Sequence, residues 1–268
     1  MAEYKMGFIG VGNMGSAIAK AVRKTVPGHE IIVSNRGEAK AQALADELSC
    51  RAADNRTVAS TAKYIFLGVK PQMMEQMLRG ISDVLAERSD RFILVTMAAG
   101  IKIEKYSEML GADYPVIRIM PNTPVSVGEG AVPFAVSEDV FMDEITEFCN
   151  CMRCAGRVDR MEERLIDAAC AVSGCGPAFV YMFIDALALA AVECGLPREK
   201  AEQYALQTVL GAAKLAEESG RHTEQLRDEV CSPAGATIAG VHSLECDGFK
   251  GSVMNAVKAA FDKTRGLG

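Results

Sequence analysis

A glycine-rich segment near the start of the chain has the residue types and the spacing of a phosphate-binding turn. Gly10, Gly12 and Gly15 follow a short apolar run and precede an alanine-rich, helix-forming stretch. The first glycine permits a tight turn, the second lets a pyrophosphate approach the backbone, and the third allows close helix–strand packing. A tight turn in another α/β fold is the alternative, and the strand–helix–strand order favours dinucleotide binding. The contacts predicted in this turn are Ile9, Gly10, Gly12, Asn13 and Met14.

The end of the second predicted strand indicates which dinucleotide binds. Sites for NAD usually place an Asp or Glu there, roughly 20 residues beyond the glycines, to hold the ribose hydroxyls. This chain has Ser34, Asn35 and Arg36 instead. A hydroxyl and an amide can hydrogen-bond a 2′-phosphate, and a guanidinium can pair with its charge. We therefore predict a preference for NADPH, with NADH also accepted. The alternative for Arg36 is a solvated charge at a helix start.

Polar and small residues also follow the other predicted strands. In open α/β sheets, ligands bind beyond the carboxyl ends of the strands. Lys70 follows one such end and can face cofactor or substrate, whereas the alternative is an ordinary surface lysine. Small residues after the next strand would let the backbone approach a nicotinamide. The cofactor contacts assigned to these segments are Asn55, Val69, Lys70, Pro71, Ala98 and Ala99.

A second candidate site lies far along the chain. Ser232 and Pro233 are typical of a helix N-cap followed by a proline at the first helical position. The N–H groups of Gly235, Ala236 and Thr237 would then point out of a helix N-terminus, which favours binding of a carboxylate. The alternatives are plain capping by Ser232 and a helical threonine, Thr237, that bonds its own backbone.

The elements that must position these groups change character along the chain. Strand-like runs occupy 6–9, 31–34, 64–69, 92–96, 116–119 and 131–135, and helix-like stretches between them occupy 17–23, 38–48, 72–78 and 102–110. Later candidates are all helices, at 163–169, 178–194, 198–219, 223–230, 235–244 and 249–264. The pattern predicts an α/β fold with a mostly parallel sheet in a Rossmann-type domain, 1–160, and an all-helical domain, 161–268.

Composition limits the classes of partner. The net charge of −6 provides no general basic field for nucleic acid or anionic lipid. Nine cysteines, scattered through a long chain, favour free thiols in the cytoplasm over a disulfide framework. The apolar run 178–192 is shorter than the roughly 20 residues of a membrane span, so we expect it at a subunit interface. Cys149, Cys151 and Cys154 lack a fourth ligand nearby, so no metal site is predicted.

Several further motifs occur in a fixed order with the segments described above. They read GFIGVGNM at 7–14, SNR at 34–36, VKPQ at 69–72, MPNTP at 120–124, AVSGCGPAF at 171–179 and SPAGATI at 232–238. With these motifs the sequence resembles the Δ1-pyrroline-5-carboxylate reductase family over essentially the whole chain. The ordered set is far more specific than the glycine turn alone.

The resemblance implies an activity and an assembly. It implies hydride transfer from NADPH to the C=N carbon of pyrroline-5-carboxylate, which yields L-proline in the last step of proline biosynthesis. It also implies that the helical domain interlocks with a partner subunit, as a dimer or a ring of dimers. Thr237 matches the family threonine whose hydroxyl faces the imine nitrogen, and it is the predicted catalytic residue. The substrate contacts implied are Ser232, Gly235, Ala236 and Thr237.

Some positions depart from the family pattern. Cys175 stands where serine is usual, Ala234 where glycine is usual, and Cys231 where threonine or serine is usual. Each change is small, so we expect the cleft to persist without any hydrogen bond assigned to those side chains. Asn122, in a loop stiffened by two prolines, is expected to shape the cleft.

Two other functions stand beside this interpretation. A β-hydroxyacid dehydrogenase also joins a Rossmann domain to a helical one, and it would need a catalytic lysine in the helical domain. Lys200 and Lys214 stand among amphipathic helix residues, which is the wrong context. A nucleotide-sensing regulator without turnover is the third hypothesis, and the substrate motif at 232–237 argues against it.

Overall fold

The apolar runs of the first half assemble into one sheet in the computed structural model, which describes residues 2–266. Its eight strands are β1 Tyr4–Ile9, β2 Ile31–Ser34, β3 Arg51–Ala52, β4 Ala62–Leu67, β5 Ile93–Thr96, β6 Val116–Ile119, β7 Gly130–Val136 and β8 Gly156–Arg160. They lie in the order β3-β2-β1-β4-β5-β6-β7-β8. All neighbouring strands are parallel except β6 and β7, which are antiparallel. The predicted mostly parallel sheet is confirmed.

Helices cover both faces of this sheet, because the central strands are apolar on both sides. On one face Phe8 stacks on Phe66 with ring centroids 4.5 Å apart, and Phe148 of the helix Met142–Met152 packs beside them. On the other face Ile65 and Leu67 belong to a second buried cluster. The helices of this half are α1 Asn13–Arg23, α2 Glu38–Leu48, α3 Asn55–Thr61, α4 Pro71–Arg79, α5 Ser82–Ala86, α6 Glu104–Leu110 and α7 Met142–Met152.

Strand order creates a crevice at the carboxyl edge of the sheet. From β1 the chain runs outward through β2 and β3, then returns to the other side of β1 to form β4, β5 and β6. The order therefore reverses between β1 and β4, the place where open α/β sheets bind ligands. The two strand ends are tied at this point, since the Gly68 N–H donates to the Ile9 carbonyl at 2.7 Å.

Two strands and two helices were absent from the predicted elements. Strand β3 has only two residues, too few to give an apolar run. Strand β8 reads GRVDR and lies at the sheet edge, where charged side chains protect against pairing with another chain. The short helices α3 and α5 were likewise unpredicted.

The second half is helical, as predicted. Its helices are α8 Glu163–Ala169, α9 Gly176–Glu193, α10 Arg198–Ser219, α11 Thr223–Val230, α12 Ala236–Cys246 and α13 Phe249–Arg265. A π-helical segment, Cys170–Gly174, joins α8 to α9. The chain forms two compact units, one containing residues up to Cys175 together with those from Ala260, the other Gly176–Ala259. The predicted domain ranges, 1–160 and 161–268, stay a prediction.

The helical unit Gly176–Ala259 buries very little of its own apolar surface. Its buried cluster consists of Ala188, Ala201 and Ala205, between α9 and α10. By contrast, Tyr181 is 61% exposed and Met182 is 73% exposed on α9. Soluble proteins rarely leave apolar surface of this extent uncovered unless it binds something.

Candidate active site

The glycine turn after β1 has the geometry that a pyrophosphate requires. Gly10 adopts a φ of +92°, and a Cβ there would lie 2.8 Å from the Gly68 carbonyl. A Cβ on Gly15 would lie 2.3 Å from the Gly10 oxygen, so helix and turn pack as predicted. At Gly12 a Cβ would meet nothing within 4 Å. Helix α1 begins at Asn13 with no side-chain cap, so its first N–H groups face open space suited to phosphate.

A cleft of about 850 Å³ lies beyond the end of β2 and contains Asn35, Arg36 and Asn55. Arg36 is exposed at its rim. Ser34 is buried, and its hydroxyl donates to Asn55 Oδ1 at 2.8 Å. Ser34 therefore lies beneath the cleft and holds Asn55, and its direct contact with a 2′-phosphate stays a prediction.

Arg56 also lines this cleft and was missed by the sequence reasoning. Its guanidinium forms two hydrogen bonds with Asp83, both 2.8 Å long. These bonds fix the position of the Arg56 guanidinium beside the cleft, with N–H groups directed at Asp83. Arg56 directly follows Asn55, a predicted cofactor contact, and this position in the sequence could have indicated that it lines the cleft.

The other predicted cofactor positions follow adjacent strands at the same edge of the sheet. Lys70 is exposed at the N-cap of α4, and Pro71 is the first residue of that helix, as predicted. Ala99 is half-buried, whereas Ala98 is buried and offers only its backbone to a ligand. Because β1, β4 and β5 are neighbours, these segments share one side of the crevice with the glycine turn.

The nitrogen and the oxygen of the Asn122 amide each form a hydrogen bond inside the protein. Its Nδ2 donates to the Ser173 carbonyl at 3.0 Å, and its Oδ1 accepts the Ala131 N–H at 2.8 Å. The side chain therefore ties the loop after β6 to the π-helical segment. Its effect on the cleft comes through these backbone ties.

The Ser232–Gly235 segment differs from the predicted cap. The Gly235 N–H donates to the Ser232 carbonyl at 3.0 Å, and Ala234 adopts a φ of +59°. Proline at the second position and positive φ at the third define a type II turn. Helix α12 starts only at Ala236, with Gly235 as the N-cap residue. The predictions of Ser232 as N-cap and Pro233 as the first helical residue are wrong, because the turn places both before the helix.

The turn still leads into a helix start without a side-chain cap. Gly235 has no side-chain cap, and the first turn of α12 contains no acidic residue. A Cβ on Gly235 would lie 2.3 Å from the Ser232 Oγ, so glycine lets the hydroxyl approach the backbone there. Ala236 and Thr237 are the first two residues of α12, so their N–H groups have no acceptor within the helix. They lie at the positive end of the helix dipole, where a carboxylate is favoured.

Replacing Ala234 with glycine is expected to stabilise the protein by about 0.5–1 kcal/mol. An L-residue in the left-handed region costs about 1–2 kcal/mol, and this strain is relieved by glycine. Glycine also makes the unfolded chain more flexible, which reduces the gain by about 0.4–1 kcal/mol. Urea unfolding at fixed protein concentration measures the difference. The control is Ala239→Gly within α12, which should destabilise by about 0.5–1 kcal/mol. A destabilised Ala234→Gly variant would contradict the strain assignment.

Comparisons with known proteins cover the whole chain. The family model described as pyrroline-5-carboxylate reductase dimerisation matches residues 163–267, and the model described as NADP oxidoreductase coenzyme F420-dependent matches residues 5–100. A pyrroline-5-carboxylate reductase of Escherichia coli (strain K12) is 39% identical over 269 residues, spanning 99% of this chain and 98% of the relative. The chain belongs to the pyrroline-5-carboxylate reductase family. A pea (Pisum sativum) member is 36% identical over 267 residues.

Solved structures of family members confirm the fold class. The Plasmodium falciparum pyrroline carboxylate reductase, described with NADP bound, has a TM-score of 0.87 at 32% identity and covers 100% of both chains. The Coxiella burnetii pyrroline-5-carboxylate reductase has a TM-score of 0.91 at 31% identity, covering 99% of this chain and 98% of that one. The predicted Rossmann-type domain followed by a helical dimerisation domain is therefore confirmed.

The apolar helix that precedes α10 fits this family assignment. Helix α8, the π-helical segment and α9 form one continuous helical segment, Glu163–Glu193. Within residues 2–266 it is the one helix that is long and apolar enough to cross a membrane, judged by length and composition alone. It falls within the region matched by the dimerisation model. Self-association accounts for its exposed apolar side chains, because a second subunit would bury them.

Proposed function

We propose that this protein reduces 1-pyrroline-5-carboxylate to L-proline with NADPH as the hydride donor. The observation that carries the proposal is the start of helix α12, an uncapped and acid-free N-terminus beside Thr237. It offers the substrate carboxylate a binding place in a chain related over its length to reductases of that name. The last step of proline biosynthesis is the corresponding reaction.

The residues present fit an NADPH site. The open space above Gly12 and the free N–H groups of α1 suit the pyrophosphate, and Arg36 and Asn35 suit the 2′-phosphate. Bound NADPH would supply the hydride to the C=N carbon of the substrate. The proposed cofactor contacts are Ile9, Gly10, Gly12, Asn13, Met14, Ser34, Asn35, Arg36, Asn55, Val69, Lys70, Pro71, Ala98 and Ala99.

The chain's own residues then handle the carboxylate and the proton. The N–H groups of Ala236 and Thr237 bind the carboxylate. The Gly235 N–H, also predicted for this role, instead donates to the Ser232 carbonyl and closes the turn beside them. Reduction leaves an amine nitrogen that gains a proton, and the Thr237 hydroxyl can donate a hydrogen bond or relay that proton. Within residues 2–266 this hydroxyl forms no hydrogen bond with the chain, whereas Thr208 donates to a carbonyl one turn earlier. That freedom supports a catalytic role for Thr237 over a helical threonine bonding its own backbone.

An assay with NADPH and pyrroline-5-carboxylate tests the proposal. Oxidation of NADPH with formation of proline is the expected result. Tight NADPH binding without oxidation would favour a sensor. A β-hydroxyacid dehydrogenase is disfavoured by the lysines of α10, since Lys200 bonds Gln203 at 3.2 Å and Lys214 pairs with Glu218 at 3.8 Å, both as exposed helix neighbours.

We further propose a dimer that can assemble into a ring of dimers, working in the cytoplasm without nucleic acid or membrane. The match to the dimerisation family model over 163–267 supports the dimer, and so do the exposed apolar side chains of α9, such as Tyr181 and Met182. All nine cysteines are free thiols, which supports a reducing compartment. A size measurement in solution gives the number of subunits.

Truncating Met182 to alanine is expected to weaken self-association about tenfold, or about 1.4 kcal/mol, because a partner subunit would bury this side chain. Sedimentation at decreasing protein concentration measures the change. Lys214→Ala is the control, since it removes an exposed charge from α10 and should leave association unchanged. An unaltered dissociation constant for Met182→Ala would place the interface elsewhere.

A further inference from the structure

A buried arginine links the carboxyl edge of the sheet to helix α8. Arg118, on β6, is 1% exposed and pairs in register with Thr96, the last residue of β5. Its guanidinium bonds Glu163 at 3.1 Å and Asp167 at 2.7 Å. These carboxylates are four residues apart, so they lie on one face of α8 and meet the two prongs of the guanidinium.

The same network reaches the segment that follows β5. Glu163 Oε1 also accepts the Ile103 N–H at 2.8 Å, which fixes the entry to α6. Thr96 shares a hydrogen bond with the buried hydroxyl of Tyr106. Burial raises the pKa of Tyr106 to about 12, so this hydroxyl keeps its proton at neutral pH. The ion pairs of Arg118 and the hydrogen bond between Thr96 and Tyr106 therefore both lie next to the carboxyl end of β5.

A small apolar cluster transmits the position of α8 to the predicted nicotinamide loop. Ile166 of α8 and Met120, just after β6, are buried in this cluster. Ala99 and Cys170 pack against it. A shift of α8 would therefore move the backbone around Ala99 and the start of the π-helical segment.

Stability alone does not account for this arrangement. The Nε of Arg118 is buried without a hydrogen-bond partner, a loss that an apolar residue would not carry. Buried ion pairs are often no more stable than well-packed apolar substitutes, and their best-attested use is to specify one arrangement. Arg118 thus has the features of a residue that fixes the position of α8 on the sheet.

We propose that Arg118 is a positioning residue for hydride transfer, holding α8 and through it the loop around Ala99 at the height that supports the nicotinamide. This inference rests on the proposed reductase function. Arg118 acts through α8 and the loop, without touching cofactor or substrate itself. Its loss should therefore slow the hydride step without weakening the binding of NADPH.

The test compares Arg118→Lys with Arg88→Lys in the full-length protein. Arg88 is a matched control, since its side chain is 4% exposed and pairs with Asp90 at 2.9 Å. It also donates to the carbonyls of Ala59 and Ala62, at the amino end of β4 and away from the cofactor edge. Both variants lose one buried guanidinium fork, so comparable losses of thermal stability are expected.

Single-turnover rates with saturating NADPH and pyrroline-5-carboxylate separate the roles. Arg118→Lys should slow hydride transfer about tenfold to a hundredfold, because small misplacements of the reacting atoms carry such penalties. The slowed rate should show a kinetic isotope effect with 4-deuterated NADPH, since hydride transfer is then the step that is measured. Its NADPH dissociation constant should stay unchanged, and the Arg88→Lys rate should match the unsubstituted protein. Equal rates in the two variants, or a loss of NADPH affinity that explains the slower rate, would overturn the proposal.

A triple variant covers the case in which Arg118→Lys does not fold. Arg118→Met with Glu163→Gln and Asp167→Asn leaves no buried charge unpaired, and the new amide oxygen at position 163 can still accept the Ile103 N–H. It should fold and remain slow. A folded triple variant with the unsubstituted rate would overturn the positioning role. An unsubstituted protein that never oxidises NADPH would instead contradict the proposed function itself.

Discussion

Replacing Thr237 with alanine is expected to lower kcat by about a hundredfold, the low end of what a positioned proton donor contributes. The hydroxyl makes no hydrogen bond with the described chain, residues 2–266, so its removal breaks no internal contact. Alanine is also the better helix former. Folding should therefore be preserved, and the NADPH dissociation constant should not change. Steady-state turnover and cofactor titration measure the two quantities.

Two companion variants sharpen the result for Thr237. Thr237→Ser keeps the hydroxyl and should retain most of the turnover. Thr208→Ala removes a hydroxyl that bonds the Tyr204 carbonyl at 2.7 Å within α10, and it should leave kcat unchanged. Unchanged turnover in Thr237→Ala would show that the residue is not catalytic, and the carboxylate-binding role of the helix start would then stand alone.

Reversing the charge of Arg36 is expected to raise the KM for NADPH about a hundredfold. A hydrogen bond to a charged group contributes about 1.5–3 kcal/mol, and the new carboxylate adds repulsion. We therefore expect a loss of ~2.8 kcal/mol in the free energy of NADPH binding, which corresponds to the hundredfold change. NADH has no 2′-phosphate, so its KM should change little. The effect should be larger at low salt, because Arg36 is exposed and its field is screened.

The control for Arg36→Glu is Arg79→Glu. Arg79 is an exposed residue of α4 that pairs with Glu75, and its reversal changes the net charge equally. It should alter the KM of neither coenzyme. Similar changes in the KM for NADPH and NADH after Arg36→Glu would remove the argument for a 2′-phosphate contact.

Much of the fold was predictable because the signals were local. The bounds predicted for α2, α10 and α11 coincide with the observed helices, since each has a regular apolar pattern and clear flanking residues. Gly220, for example, ends α10 with a φ of +62°. Strand β8 escaped because an edge strand buries little and has no apolar run.

The turn before α12 was misjudged for a specific reason. A glycine at 234 would have indicated a type II turn, but alanine conceals the positive φ that the turn requires. The serine–proline pair then looked like a helix cap. The role of Arg118 was hidden in another way, because no local pattern in the sequence shows that Glu163 and Asp167 meet it.

The three-alanine core of the Gly176–Ala259 unit has a consequence for how the protein is made. A unit that buries so little of its apolar surface by itself gains most of its free energy of folding from a second subunit. Its folding is then a bimolecular event whose rate rises with protomer concentration. The Rossmann half, with its complete core, can form first on the emerging chain. The newly made helical half must find a partner before chaperones, proteases or aggregation remove it.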